Sequence, residues 1–185
     1  MNNIKPTSDI FVIPNFLTDE ECDALIQKSE AIGYEEAMIN RGGEQVMMKS
    51  VRDNERVLFT DLVYAYQLWQ RVKPWVIPVI GNSDAIGLNE LFRFYKYNPG
   101  QRFRMHRDGS YVRSDREFSY YTFMIYLNDD YEGGRTNFQS GEYVTPKKGS
   151  ALIFEHSLLH DGAALKEGVK YVLRTDIMYR YRSNE

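Results

Sequence analysis

His106 and Asp108 stand one residue apart in the stretch "MHRDGS" (105–110), just past a run with the composition of a β-strand. On an extended chain residues two apart project to the same side, so an imidazole and a carboxylate would face one point. A single divalent ion is the chemistry such a pair invites, with a third ligand from elsewhere. Only two further histidines exist, His156 and His160. Two imidazoles and one carboxylate on one side of an iron leave three positions open, the facial arrangement of non-haem Fe(II). A lone H-x-D does not specify a metal, and His160 alone reads equally as a surface histidine after a strand. His156 and His160 are also spaced i, i+4, as a zinc-binding helix would have them. The preceding "GSALIF" is β-like, however, and no H-E-x-x-H pattern is present. His156 is expected to end that strand without binding metal.

The elements that would position these groups lie mostly after residue 89. "ELFRFYKY", "QRFRMH", "FSYYTFMIYLN", "RTNFQ", "YVTP", "SALIFEH" and "KYVLRTDIMYRY" follow one another, separated by turn signals at Asn98-Pro99-Gly100, Gly133-Gly134, Ser140-Gly141 and Lys148-Gly149. Many short strands with regular turns predict a sandwich or barrel. In "YYTFMIYLN" one face is Tyr121, Phe123, Ile125 and Leu127, suited to a covering layer of helices. The other is Thr122, Met124, Tyr126 and Asn128. In "KYVLRTDIMY" the apolar face is Tyr171, Leu173, Thr175, Ile177 and Tyr179, and the second carries Lys170, Val172, Arg174 and Asp176. That second face is either a solvated outer surface or a barrel lumen whose cations take an anionic ligand, since an unpaired buried charge is very costly.

Ahead of the strands, "DIFVIPNF" reads as a short strand. "LTDEECDALIQKSEAIGY" opens on a capping box, Thr18 and Glu21, with Leu25 and Ile26 on a helical period. "RGGEQVMMKSVRDNERV" reads as a loop with one strand at most. "TDLVYAYQLWQRVKPW" predicts a second helix capped near Thr60, with Leu62, Tyr66 and Trp69 on one face. Helices first and strands after mean an α+β class. The 185 residues, 43% of them apolar, suffice for one domain with a sizeable core. No repeat or linker divides them, so a single domain over 1–185 is expected. Its residues 1–88 would be helical N-terminal support and 89–182 the strand-rich core. A net charge of −3 implies no general attraction to nucleic acid or anionic membrane. One cysteine, no signal core and no long apolar run lead to the expectation of a soluble, cytoplasmic protein.

The ordered motifs over roughly residues 90–180 resemble the prolyl 4-hydroxylase-like branch of the 2-oxoglutarate and Fe(II)-dependent dioxygenases. "FYKYNPGQRFRMHRD" is similar to that family's Tyr-x-x-Gly-x-x-aromatic-x-x-His-x-Asp, filled by Tyr97, Gly100, Phe103, His106 and Asp108. "TFMIYLND", "GGRTNF" and "VTPKKGSALIF" resemble its next three motifs. "HDGAALKEGVKYVLRTDIMY" resembles its distal histidine followed ten residues on by a basic residue, His160 and Lys170. "FVIPNFLTDEECDALI" resembles its leading strand and helix, less specifically.

The resemblance implies a double-stranded β-helix, a cupin-like jelly roll, with N-terminal helices packed on one sheet. It implies Fe(II) on His106, Asp108 and His160, and 2-oxoglutarate with its distal carboxylate on Lys170. Tyr97 and Tyr126 would hydrogen-bond the cosubstrate, and Thr122 would line the same pocket. Arg174, on the Lys170 face, is left open between cosubstrate, substrate and Asp176. The implied reaction uses O2 to hydroxylate an unactivated C–H of a peptidyl (including prolyl) or small-molecule substrate, releasing succinate and CO2. Ascorbate is a further candidate cofactor. Two segments could meet substrate: 109–119, with Tyr111, Arg113 and Arg116, and 40–56, whose glycine pair could hinge a lid. Both read equally as solvated loops. A cupin-like metal-binding isomerase or non-oxygenase binding protein is the competing class, discriminated by Lys170 and Tyr126, which such a protein has no reason to place as a carboxylate clamp. An inactive scaffold is disfavoured by three intact ligands.

Overall fold

The computed structural model describes residues 9–36, 39–41, 44–46 and 53–183. The elements that build the site are β1 (Ile10–Ile13), α1 (Asp19–Ile32), β2 (Glu55–Thr60), α2 (Leu62–Val72), β3 (Ser83–Leu88), β4 (Leu91–Tyr97), β5 (Phe103–His106), β6 (Glu117–Tyr126), β7 (Thr136–Phe138), β8 (Tyr143–Val144), β9 (Ala151–Glu155), β10 (His160–Gly162) and β11 (Lys170–Tyr181). β4 to β11 wind between two antiparallel sheets. The larger runs β1-β9-β6-β11-β4-β2, and the smaller β8-β7-β10-β5. Chain-adjacent strands such as β4 and β5, or β5 and β6, thus lie in opposite sheets. This is a double-stranded β-helix with two helices on its outer face.

Alternation along the large sheet divides the interior into two cores. Phe92, Phe94, Tyr121, Phe123, Ile125, Leu173, Ile177 and Tyr179 point outward onto Cys22 and Leu25 of α1 and Ala65, Leu68, Trp69 and Val72 of α2. The opposite faces of the same strands send Tyr95, Tyr97, Tyr126, Leu152, Phe154 and Val172 inward toward Phe138 and Leu165. Lys170, Arg174 and Asp176 share that inward side. The charged face is therefore a lumen and not a solvated surface. Each large apolar side chain buried in either core contributes roughly 1.5–3 kcal/mol.

Local signals fix the helices. α1 begins at the expected capping box: the Glu21 amide donates to Thr18 Oγ1 (3.2 Å) and the Thr18 amide to the Glu21 carboxylate (2.8 Å). α2 is capped by Asp61 rather than Thr60, whose residue still belongs to β2; the Asp61 carboxylate accepts the Tyr64 amide at 2.9 Å. The buried stripe of α2 is Ala65, Leu68, Trp69 and Val72, so of the three residues expected to share a face Trp69 is covered while Leu62 and Tyr66 are exposed. Residues 1–88 are also more than helical support. They contribute β1, β2 and β3 to the large sheet, and a hairpin forms between Ile39–Arg41 and Glu44–Val46 where at most one strand was expected. The Gly42-Gly43 hinge of the anticipated lid lies outside the described residues.

Two glycines tie these layers together. Gly149 has φ +74°, and a Cβ there would fall 2.3 Å from the Leu17 carbonyl; its own carbonyl accepts the Leu17 amide at 3.0 Å. The segment entering α1 is thereby stitched to the turn before β9. Gly134, at φ +64°, leaves space that a Cβ would take from the stem of Lys170.

Candidate metal and cosubstrate centre

β5 ends on His106 and β10 begins on His160, and the two are register partners across the small sheet. Their rings lie 4.2 Å apart between centroids. Each is oriented by the same device. His106 Nδ1 lies 2.7 Å from the Arg104 carbonyl and His160 Nδ1 lies 2.9 Å from the Leu158 carbonyl. A carbonyl only accepts, so Nδ1 carries the proton in both rings and Nε2 presents a lone pair. Both Nε2 atoms face the Asp108 carboxylate at 3.7 Å, one toward each oxygen. The three ligand atoms lie within 4.8 Å of one another, and no other group of three or more such residues occurs among the described residues. Phe103 stacks on His106 at 3.5 Å between centroids, and Phe154 sits edge-on to His160 at 4.5 Å.

Protonation states suit a cation. Burial lowers the His160 ring to about 4, so it is neutral near pH 7. Burial alone would raise the Asp108 carboxyl, but Arg174, His106 and His160 beside it hold it well below the usual carboxylate range. Thr122 Oγ1 donates to Asp108 Oδ2 at 2.5 Å, and Arg174 reaches Asp108 Oδ1 at 3.0 Å and Asp176 Oδ1 at 3.2 Å. Arg93 also pairs with Asp176, at 3.1 Å. Two guanidinium groups and two carboxylates thus balance within the lumen. Arg174, left open from the sequence, faces Asp176 and, unanticipated, Asp108; its Nε has no hydrogen-bond partner among the described residues.

The cavity beside these groups is lined by Tyr95, Tyr97, Thr122, Thr136, Lys170, Val172 and Arg174 together with the His106, Asp108 and His160 side chains. Lys170, 4% exposed, places its ammonium 5.4 Å from the ring centroids of both Tyr97 and Tyr126. It donates to the Gly134 carbonyl and has no acidic side chain in ion-pair range among the described residues. Burial lowers its pKa to about 7. A buried amine lacking an anion is the signature of a site that takes one. Tyr126 lies deeper than expected. It is fully buried behind the cavity lining, and its hydroxyl is 2.8 Å from Thr136 Oγ1. Thr136, of the "GGRTNF" turn, and Tyr95 reach the cavity instead. The sequence offered alternation in β4 as a sign for Tyr95; the three-residue β7 gives no periodicity from which to place Thr136. His156 lies outside the triad.

The segment after the metal motif is largely framework. Arg113 pairs with Glu90 and Glu117, and Arg116 donates to the Tyr181 carbonyl and Ser183. Tyr111 remains exposed.

Residues 92–175 match the family model described as the 2OG-Fe(II) oxygenase superfamily. Over that stretch the chain is similar to this superfamily. It is 24% identical over 204 residues to prolyl 4-hydroxylase 1 of Arabidopsis thaliana, covering 92% of this chain and 71% of that one. Its fold resembles a viral collagen prolyl hydroxylase from Paramecium Bursaria Chlorella virus-1, solved with 2-oxoglutarate, at TM-score 0.67 and 20% identity over 96% of this chain and 99% of that chain. It also resembles a prolyl hydroxylase from Trichoplax adhaerens in complex with a peptide fragment of the hypoxia inducible factor oxygen degradation domain, at TM-score 0.72 and 15% identity, covering 95% and 84%. A 2OG-Fe(II) oxygenase needs Fe(II), 2-oxoglutarate and O2. The donor set of this chain fits that need: two imidazoles and one carboxylate for a ferrous ion, and a lumen ammonium without an acidic partner among the described residues for a carboxylate. The cation and the dianionic cosubstrate together would leave the charge balance of the lumen unchanged.

Proposed function

We propose that this dioxygenase holds iron on His106, Asp108 and His160 and 2-oxoglutarate on Lys170, with Tyr97, Thr122 and Thr136 around it, and that it hydroxylates a peptidyl substrate, prolyl residues foremost. The observation that carries the reading is the pair of Nε2 lone pairs aimed at opposite oxygens of one carboxylate, next to a buried amine without an anion. When bound, iron with 2-oxoglutarate and O2 supplies the oxidant for an unactivated C–H, with succinate and CO2 as coproducts. The chain's own residues position and exclude. The Arg104 and Leu158 carbonyls fix both imidazoles. Lys170 gives the distal carboxylate a charged donor, and the tyrosines around it keep water from the amine. Phe103, Phe154 and Val172 make the wall apolar, so polar contacts inside it act at low dielectric.

A peptide as substrate is supported by the Arabidopsis relative, named as a prolyl 4-hydroxylase, and by the Trichoplax enzyme with its peptide. A cytoplasmic setting is supported by the single cysteine, Cys22, whose thiol is buried and pushed up to about 11 by burial, leaving it inert toward disulfide exchange. Anaerobic titration with Fe(II) and 2-oxoglutarate should produce a weak visible charge-transfer band, and succinate release should rise with proline-containing peptides above the uncoupled rate. A folded protein without the band would defeat the assignment of the centre. Release stimulated by a small metabolite and by no peptide would defeat the assignment of substrate.

A further inference from the structure

His156 is a buried, titratable side chain that the chemistry above does not use. It sits where β9 ends, and it holds Asp108 twice. Its carbonyl accepts the Asp108 amide at 3.1 Å. Its ring reaches the carboxylate through one intermediate: His156 Nδ1 is 3.0 Å from Thr122 Oγ1, and Thr122 Oγ1 is 2.5 Å from Asp108 Oδ2. On the far side, Nε2 is 2.8 Å from Ser119 Oγ, which accepts the Tyr111 amide at 2.8 Å.

The direction of every bond in this chain is determined. Asp108 is ionised and only accepts, so Thr122 must donate its hydroxyl proton to it. Thr122 Oγ1 then faces His156 with a lone pair, so Nδ1 carries the ring proton. Nε2 is bare and accepts from Ser119, whose oxygen in turn accepts the Tyr111 N–H. Arg174 Nη2, 3.4 Å from Thr122 Oγ1, is a further donor that leaves this order intact. All protons point one way, from the backbone at Tyr111 to the carboxylate.

We infer that His156 is a positioning residue that fixes the tautomer and aim of the Thr122–Asp108 pair, and so the metal affinity of the centre, while tying the 109–116 segment to it. The inference rests on the proposed role of Asp108 as a ligand. Histidine is suited to the place because it alone offers a donor and an acceptor on opposite sides of a rigid ring. Burial lowers its pKa and keeps it neutral, as the bond order requires.

Co(II) binding, followed by visible absorption without cosubstrate, tests this apart from turnover. Asp108→Ala should abolish Co(II) binding. Outer-shell partners typically tune metal affinity by about 10–100-fold, so His156→Phe should weaken Co(II) by that factor and shift its visible bands in a protein whose circular dichroism is native. Thr122→Val, which removes the last link without changing volume, should do the same and decides the question should the Phe variant fail to fold. His156→Asn, which keeps a donor toward Thr122, should restore most of the affinity. Folded Thr122→Val and His156→Phe proteins that bind Co(II) with wild-type affinity and spectrum, while Asp108→Ala does not bind, would overturn the positioning role and leave the ligand assignment standing. Wild-type Co(II) binding by Asp108→Ala would overturn both.

Discussion

Lys170 is a lone amine in a closed lumen, and its charge is conditional. Burial lowers it to about 7 from 10.5. Between those values the unfolded chain binds more protons than the folded one, so this residue makes stability rise with pH over that window. A carboxylate ligand needs the protonated form, so 2-oxoglutarate affinity should fall as pH climbs past about 7. The two trends oppose each other, and Lys170→Met should remove both. The same substitution should cost about 10–100-fold in 2-oxoglutarate affinity, the worth of a charged hydrogen bond, measured by anaerobic titration. At Asp108, Glu would move the carboxylate by about one carbon–carbon bond, roughly 1.5 Å. Asp108→Glu should therefore lose most of the visible band even though charge is kept. These residues were legible because spacing and motif order place them. Arg174 was not: which of several carboxylates it meets depends on how the chain beyond β5 folds back over β6, and no local pattern encodes that. Tyr126 was half legible. Its inward face followed from alternation, but its hydroxyl partner, Thr136, comes from a strand too short to announce itself.

At the scale of elements the site depends on how two layers are fastened. Thr18→Ala removes the capping hydroxyl of α1 and should destabilise by about 1 kcal/mol in urea unfolding, with little effect on metal binding because α1 lies on the far side of the large sheet. Gly149→Ala should cost more. It meets both a left-handed backbone and a carbonyl 2.3 Å from the new Cβ, and strain of this kind costs of order 1–3 kcal/mol for the conformation alone. Strand order and the two faces of β6 and β11 were readable from period-two alternation. The true cap of α2 was not, and its buried stripe was readable only in part. Gln67, Gln70 and Arg71 mark one side of α2 as polar and so the stripe Ala65, Leu68, Trp69 and Val72 as buried, but the apolar Leu62 and Tyr66 at its start and edge draw the expected face away from it. β1 was legible in "DIFVIPNF", whereas β2 and β3 escaped because their pairing with β4 and β11 is a tertiary event.

For the whole molecule, one core braces the helices and the other surrounds the chemistry, with the large sheet as the shared wall. Ligands that bind only the folded state should therefore stabilise everything at once. Mn(II) and 2-oxoglutarate, each at about 100 times its dissociation constant, should add about 2.7 kcal/mol apiece and raise the melting temperature by several degrees, and Asp108→Ala should erase the metal-dependent shift. The pairing of His106 with His160 across the small sheet carries a temporal meaning as well. β5 and β10 are separated by β6 to β9, so a nascent chain displays His106 well before His160 has been made. On the proposed ligand set, iron capture by all three side chains would wait until the barrel has closed and the strand register has locked. The growing polypeptide is thereby spared a loosely held, redox-active ion during the interval when its methionines and tyrosines are least protected.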